Sequence, residues 1–492
     1  MRRGISSYIR AWTYQDIILA GLIFTYIILM SRLVFDHYDA LYVYSLDFGV
    51  FDQALWSTSQ GDFMWQSQVG LGSNWGIHFD PLLLLTVPIY YIFPDGRFLL
   101  VIQTIFLALG AIPLYLIAKI KFESRWIPLA FPISYFIYPY LHNVNLFDFH
   151  SVMFSPLLIG LTWYSIELKN IRLFTVFALL SLFIKENIFV IVILLCIYAF
   201  FKTEYKWEAT ILAAISIIYG IVVIKYVIPF FSGNTYMFIK NNTVSGIITN
   251  PPIDNFLAIT QELFKPLLYL PLLNPLPYLT GSILIMWHSA RDISLFLTYH
   301  YPADVISLVM ISVILGVANI PNYINFISKT YFKQEQKSIP KPKLIQLVIV
   351  SLMLISSIHS FYTTSQVMNM PALQYQQTEH DRIGIDIAQR IPPDATVAAQ
   401  THLVPRLSHR KYIFQNPWIP KACKNEIDYV FFDTKPETDR DYYPFDGPEN
   451  LLKDYDNYSK NKEYELILSR DGYAVFKKRV FPGLCGSRLE RS

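Results

Sequence analysis

Long apolar stretches separated by brief polar breaks fill most of the chain, and the pattern changes abruptly near residue 362. A helix needs about 20 apolar residues to cross a hydrocarbon core, at roughly 1.5 Å of rise each. On that measure the pattern predicts eleven membrane helices, over 16–35, 98–118, 126–142, 152–168, 172–185, 187–201, 209–231, 258–273, 277–288, 303–321 and 344–361. Those at 172–185, 187–201 and 277–288 are short, which leaves the count open by about two. PLLLLTVPIYYIF (81–93) is also short and is expected to lie along the membrane surface or re-enter rather than cross. Residues 16–35 follow the basic start MRRGISSYIR without a small-residue cleavage site, so they read as a first anchor.

Past residue 361 the periodicities are those of a layered soluble unit. DRIGIDIAQRI (381–391) repeats apolar positions at helical spacing, and PPDATVAAQ after it reads as a turn, then a strand. IDYVFFDT (427–434) is a short β-rich run with polar ends, the pattern of a buried parallel strand. YELILSRDGYAVFKKR (464–479) predicts a hairpin turning at Arg470-Asp471-Gly472. The expected organisation is a multi-span α-helical membrane domain, 1–361, with a large first loop at 36–96, followed by an α/β domain, 362–492.

Composition supports that division. The chain is 53% hydrophobic and 16% charged, with mean hydropathy +0.35, values of a polytopic membrane protein. Yet 18 of the lysines and arginines and 18 of the acids lie beyond residue 361, so that segment is built to meet water. A net charge of +3 with no basic stripe gives no ground for nucleic-acid binding. Cys196 sits in an apolar run, while Cys423 and Cys485 could pair if their domain meets an oxidising compartment. Short cytoplasmic loops are rich in lysine and arginine. Placing the basic clusters at 1–10, 119–125, 168–172, 202–206 and 328–343 inside puts the loops at 36–96, 143–151, 232–257 and 289–302 outside, with the C-terminal domain.

That orientation gathers the conspicuous polar residues on one face. Between Arg32 and Arg97 stand seven aspartates and no lysine or arginine. Asp36, Asp39, Asp62 and Asp95 read as solvated loop acids. Asp47 and Asp52, in SLDFGVFDQALW, sit among Phe48, Phe51, Leu55 and Trp56, and a carboxylate partly desolvated by rings makes a base. Five residues apart, they point about 140° apart on a helix. One should face a cavity while the other caps or pairs locally. His78-Phe79-Asp80 and Asp148-Phe149-His150 are mirror images with acid and imidazole two apart. That spacing suits a His–Asp hydrogen bond, two ligands of one ion, or a polar clamp between loops. Lys185-Glu186-Asn187 interrupts an otherwise apolar stretch, and ionisable groups there mark a polar interior or an ion pair. RDISLFLTYHYPAD adds Arg291, Asp292, His300 and Asp304. THLVPRLSHR (401–410), with His402, Arg406, His409 and Arg410, reads as a basic solvated helix or as a guide for an anionic substrate. No Gly-rich phosphate loop, nucleophile elbow or zinc-protease helix is present.

The stretches SLDFGVFDQALW, GIHFDPLLLLTVPIYYIFP, LFDFH, FIKENIF and YHYPA, with IPPDATVAAQTHLVPRLSHR further on, resemble a family of predicted polytopic membrane proteins. That family is similar to the GT-C superfamily, whose members transfer sugars from polyprenyl-phosphate donors on the outer membrane face. The resemblance implies a catalytic acid in the first outer loop, best matched by Asp47 and next by Asp52. It implies that Lys185, Glu186, Arg291 and His300 surround the donor phosphate. His78, Asp80, Asp148 and His150 would then shape an acceptor site or hold a divalent metal, which some members use and others do not. The implied partners are the bilayer and a lipid-linked sugar donor, with the acceptor open. Two other readings stand beside this one. A transporter or flippase would carry its polar site near midplane between inverted repeats. A non-catalytic assembly or receptor protein would bind its partner through the C-terminal domain.

Overall fold

Thr13 and Asp16 form a capping box, the Asp16 amide donating to the Thr13 hydroxyl at 3.3 Å and the Thr13 amide to the Asp16 carboxylate at 3.0 Å. It opens the first helix, α1 (Tyr14–Asp39). The computed structural model describes residues 12–70, 72–234, 252–289, 293–327, 330, 342–369, 375–421, 423–435, 445 and 447–479. After α1 a π-helical turn, Ser45–Gly49, runs directly into α2 (Val50–Ser59). A two-residue ladder of β1 (Trp65–Gln66) with β2 (Gly72–Ser73) follows, then the short helix α3 (Val87–Ile92). Asp95 caps α4 (Gly96–Leu109), which continues through Gly110 into α5 (Ala111–Lys121). Asp16 also accepts from Lys119 Nζ and Tyr115 Oη, each at 3.0 Å, so α1 and the α4–α5 rod run antiparallel. These ties, with Lys121 on Glu167, mark one end of the bundle. The first loop and the C-terminal domain lie at the other.

Among the described residues, five helices are long and apolar enough to cross a membrane: Tyr14–Asp39, Gly96–Lys121, Lys206–Ser232, Ala303–Phe326 and Lys343–Thr364. Ala303–Phe326 is the axis, with 89% of its apolar window buried, against 22–28% for Tyr14–Asp39, Lys206–Ser232 and Lys343–Thr364. The remaining predicted spans are shorter helices, and proline accounts for two of the breaks. The segment 126–142 divides into Ile127–Phe136 and Pro139–Leu146, with Pro139 restarting the helix. The segment 258–273 is α-helical only to Phe264, and Pro266 and Pro271 turn its remainder into two 3₁₀ turns. Residues 81–92 form a 3₁₀ turn and α3, together too short to cross. Tyr90 is buried there while Leu85, Tyr91 and Ile92 are exposed.

The C-terminal domain holds β3 (Val397–Ala399), β4 (Ile413–Gln415), β5 (Tyr429–Asp433), β6 (Tyr464–Arg470) and β7 (Tyr473–Lys478), in spatial order β4-β3-β5-β7-β6. Alternation along β5 divides its side chains between two layers. Tyr429 and Phe431 pack with Ile383 and Ile387 of the helix Glu379–Arg390, and Val430 and Phe432 pack with Leu451 of the helix Pro448–Lys460. The strand expected to be parallel is parallel only to β3, because the hairpin places β7 antiparallel on its other side. That hairpin turns at Asp471 and Gly472, both left-handed at φ 51° and 87°, as a two-residue turn requires. Cys196 is a buried free thiol and Cys423 is disulfide-bonded; Cys485 lies outside the described residues.

Edge strand β4 is closed by the first loop rather than left bare. Ser67 Oγ receives the Ile413 amide at 2.9 Å and donates to its carbonyl at 2.8 Å. Gln53 Nε2 and Trp65 Nε1 donate to the carbonyls of Arg410 and Lys411, at 3.0 and 2.9 Å. Leu41 enters the domain's own apolar core.

Candidate functional site

The π turn carries Asp47, whose Oδ1 lies 3.1 Å from His150 Nε2. The Asp47 side chain is 36% exposed and His150 only 5%, so the carboxylate opens to solvent and the imidazole backs it. Gln103 of α4 fixes the segment behind His150. Its Oε1 accepts the His150 amide at 2.9 Å, and its Nε2 reaches the carbonyl of Phe147 at 3.3 Å. His150 Nδ1 faces the Asp148 carbonyl at 3.0 Å, and the His300 ring stacks on His150 at 3.5 Å and 17°. His300 is buried and neither of its ring nitrogens is hydrogen-bonded.

The stretch at Lys185 adds further ionisable groups to this cluster. Glu186 takes His78 Nδ1 at 2.8 Å and the Phe79 amide at 3.0 Å. Asp80 is fully buried; among the described residues neither carboxylate oxygen has a partner in good hydrogen-bond geometry, although Ser151 and its own backbone act on it weakly. Lys185 is 8% exposed and, among the described residues, makes no hydrogen bond or ion pair. Its charge nevertheless acts on Asp47, His78, Asp80 and His300, which makes these groups one electrostatic unit.

That unit separates the protonation states of its members. Burial works to raise the Asp47 carboxyl, but the charge and hydrogen bond of His150, then Lys185 and His78, hold it below its usual range. Asp80 moves the other way, lifted well above that range by burial and the Glu186 charge. Burial and Lys185 depress His78 against the pull of Glu186. Burial, His150 and Lys185 drive His300 well below 6.5, so it stays neutral. Two carboxyls whose surroundings push their pKa values in opposite directions form the pattern that separates acid from base roles.

The structure therefore brings together Asp47, His78, Asp80, His150, Lys185, Glu186 and His300. Arg291 lies outside the described residues. Three sequence readings are revised. The two histidine–aspartate motifs do not close on themselves: His78 pairs with Glu186, His150 with Asp47, and the Asp148 carboxylate accepts the Tyr44 amide at 3.1 Å. Asp52 belongs to a different cluster, buried and accepting from the hydroxyls of Tyr90 and Ser408, with His409 Nε2 at 3.3 Å. THLVPRLSHR is not a solvated helix. Arg406 lies 3.8 Å over the Tyr38 ring and pairs with Asp39 at 3.2 Å, while Arg410 donates to the carbonyls of Leu407, Pro392 and Ala395.

The acids expected to be solvated also have partners: Asp36 with Arg32, Asp39 and Asp95 with Arg97, and Asp62 with Lys411. Among the described residues no group of three or more histidine, cysteine or acidic side chains converges to hold a metal. Sequence reasoning passed over Gln103, Gln53 and Tyr90. An amide inside the apolar run FLLVIQTIFLAL was the available signal for Gln103, since polar groups within spans are costly and retained for a use.

The architecture is a helical membrane bundle carrying a small α/β sheet domain beside a cluster of ionisable groups. The chain belongs to the DUF2079 family of predicted membrane proteins, whose model matches residues 37–475. No curated protein sequence matches it. Its fold is similar to ArnT from Cupriavidus metallidurans bound to undecaprenyl phosphate, with TM-score 0.55 and 11% identity over 93% of this chain and 98% of that one. It also aligns with the Archaeoglobus fulgidus oligosaccharyltransferase tethered to an acceptor peptide, with TM-score 0.41 and 12% identity over 96% of this chain and 75% of that one.

Proposed function

We propose that this protein is a membrane glycosyltransferase that moves a sugar from a polyprenyl-phosphate donor to an acceptor hydroxyl on the outer membrane face. One observation carries the reading: a partly exposed, ionised Asp47 backed by His150 is electrostatically coupled to Lys185, a buried cation that makes no direct hydrogen bond or ion pair among the described residues. A buried unpaired cation calls for an anion, and the donor phosphate supplies one. The likeness of the bundle to ArnT, solved with undecaprenyl phosphate, supports that choice of anion.

In the proposed step Asp47 removes the proton of the acceptor hydroxyl as its oxygen attacks the anomeric carbon. The bond from that carbon to the phosphate oxygen breaks, and Lys185 stabilises the departing polyprenyl phosphate, with Arg291 assigned as a second cation. The Asp148 carbonyl can only accept, so His150 Nδ1 carries hydrogen. His150 Nε2 lies 3.1 Å from Asp47 Oδ1, so the fixed imidazole orients the carboxylate. Asp80 and His78 are assigned to the acceptor side. The outer placement is supported by the basic clusters in the sequence, by Lys119 and Lys121 at the end opposite Asp47, and by the disulfide at Cys423.

The test compares lipid-linked sugars and surface glycans in a deletion strain complemented with wild type or Asp47→Asn. The variant should bind undecaprenyl phosphate normally while turnover falls by about 10²–10⁴-fold. Full complementation by Asp47→Asn would overturn the assignment.

A further inference from the structure

Asp47 stands on a π-helical turn, a rare local structure that persists where its surroundings hold it and that recurs at functional sites. Both ends of the turn are held. At its start the Ser45 amide donates to Thr401 Oγ1 at 3.3 Å, and Ser45 Oγ donates to Gln68 Oε1 at 2.8 Å. At its end Gly49 packs so closely that an added Cβ would lie 2.7 Å from Gln68 Oε1 and 3.3 Å from Val404 Cγ1. Gln68 is itself held by Gln53 at 3.4 Å, and Gln53 is tied to the Arg410 carbonyl at 3.0 Å. Ser45, Gln53, Ser67, Gln68 and Thr401 are all buried. Two of the holding residues, Thr401 and Val404, belong to the C-terminal domain; Gln68 belongs to the first loop that closes that domain's sheet edge.

We propose that the C-terminal domain is a positioning element for the reactive carboxylate, acting through Thr401 and Gln68. Among the described residues neither hydrogen-bonds the Asp47 side chain; each holds the turn that carries it. This rests on the reading of Asp47 as the base. Docking of the domain on the first loop is then a condition for the site to be assembled, and its loosening turns the site off without removing any group from the pocket. Losing such aim is expensive, because a misplacement of about 1 Å at a reacting group can lower the rate by about 100-fold.

The experiment uses the full chain in lipid nanodiscs with Thr401→Val, Thr401→Ser, Gln68→Ala and Gly49→Ala. Hydrogen exchange of the amides at 45–50 is measured beside thermal stability, undecaprenyl-phosphate affinity and sugar transfer. In Thr401→Val exchange should rise about tenfold, as loss of one buried hydrogen bond predicts. Its kcat should fall about 10–100-fold with donor affinity unchanged, and Thr401→Ser should restore both. Gly49→Ala, which displaces Gln68 without touching Thr401, should give the same signature if Thr401→Val fails to fold. Unchanged exchange at 45–50 in these variants would overturn the proposal, as would faster exchange with an unaltered kcat. An active Asp47→Asn would instead remove the base reading, and the exchange data would still decide whether the domain holds the turn.

Discussion

Exchanging a single carboxylate for an amide at Asp47 or at Asp52 should have opposite consequences, although only four residues separate them. Asp52 is 1% exposed and accepts from the hydroxyls of Tyr90 and Ser408, with His409 Nε2 at 3.3 Å. Asparagine keeps one acceptor oxygen but presents an NH₂ group to a donor, so one hydrogen bond to a charged group is lost, about 1.5–3 kcal/mol. His409, stacked on Trp56 at 5.7 Å, then loses the carboxylate that raises its pKa. Breaking a buried pair costs about 3–5 kcal/mol, and the 32% exposure of His409 points to the lower end of that range. About 3 kcal/mol corresponds to roughly 6 °C of melting temperature at about 2 °C per kcal/mol. Asp47 is partly solvated with one imidazole contact, so Asp47→Asn should stay within about 1 kcal/mol of wild type. The assay is intrinsic-fluorescence melting in detergent, paired with sugar transfer on the same preparations. Asp52→Asn should melt lower and retain specific activity per folded molecule; Asp47→Asn should melt normally and lose turnover. A destabilised Asp47→Asn beside a fully stable Asp52→Asn would refute the reasoning.

Lys185→Gln should weaken undecaprenyl-phosphate binding at least about tenfold, as loss of a charged hydrogen bond implies, while leaving the melting temperature equal or higher; unchanged affinity by native mass spectrometry would count against the phosphate assignment. His380 lies between Asp433 at 3.1 Å and Asp471 at 2.9 Å, and although burial opposes its charge, the two aspartates raise its pKa from 6.5 to about 9. A raised pKa contributes stability that is full below 6.5 and is lost as pH climbs through about 9. After screening at the exposed Asp471 that amounts to about 1–2 kcal/mol, so wild type should lose melting temperature across that window and His380→Gln should not. For orientation, a cysteine at Gln389 should react with an impermeant maleimide on intact cells and one at Glu123 only after lysis; the reverse pattern would place the pocket on the cytoplasmic face.

Elements set by local pattern were legible from the sequence. The helix Glu379–Arg390 follows from the apolar spacing of 381–391, and the hairpin follows from Asp471-Gly472. The short run at 81–93 was legible by length alone. What failed to show was set by partners distant in sequence. His78 and Asp80 are two residues apart, yet the imidazole pairs with Glu186, more than a hundred residues away. THLVPRLSHR looked solvated because its charges are visible in sequence, whereas Tyr38, Asp39 and Asp52, which neutralise or cover them, lie some 350 residues earlier. Gln53, Ser67 and Thr401 carried no signal at all: neutral polar residues become informative only when burial makes each of their hydrogen bonds obligatory.

The closure of β4 by the first loop has a consequence for how the protein is made. Gln68 leaves the ribosome 333 residues before Thr401, which at about 5–20 residues per second is roughly 17–67 s. Throughout that interval the membrane helices between them are being inserted while the loop at 45–68 waits with its polar groups still hydrated. The turn bearing Asp47 cannot be locked until about four fifths of the chain has emerged. On the proposed reading of Asp47 as the base, a nascent or truncated chain would occupy the bilayer before that carboxylate is aimed, and competence would arrive in one late step, on completion of the strand at Ile413–Gln415.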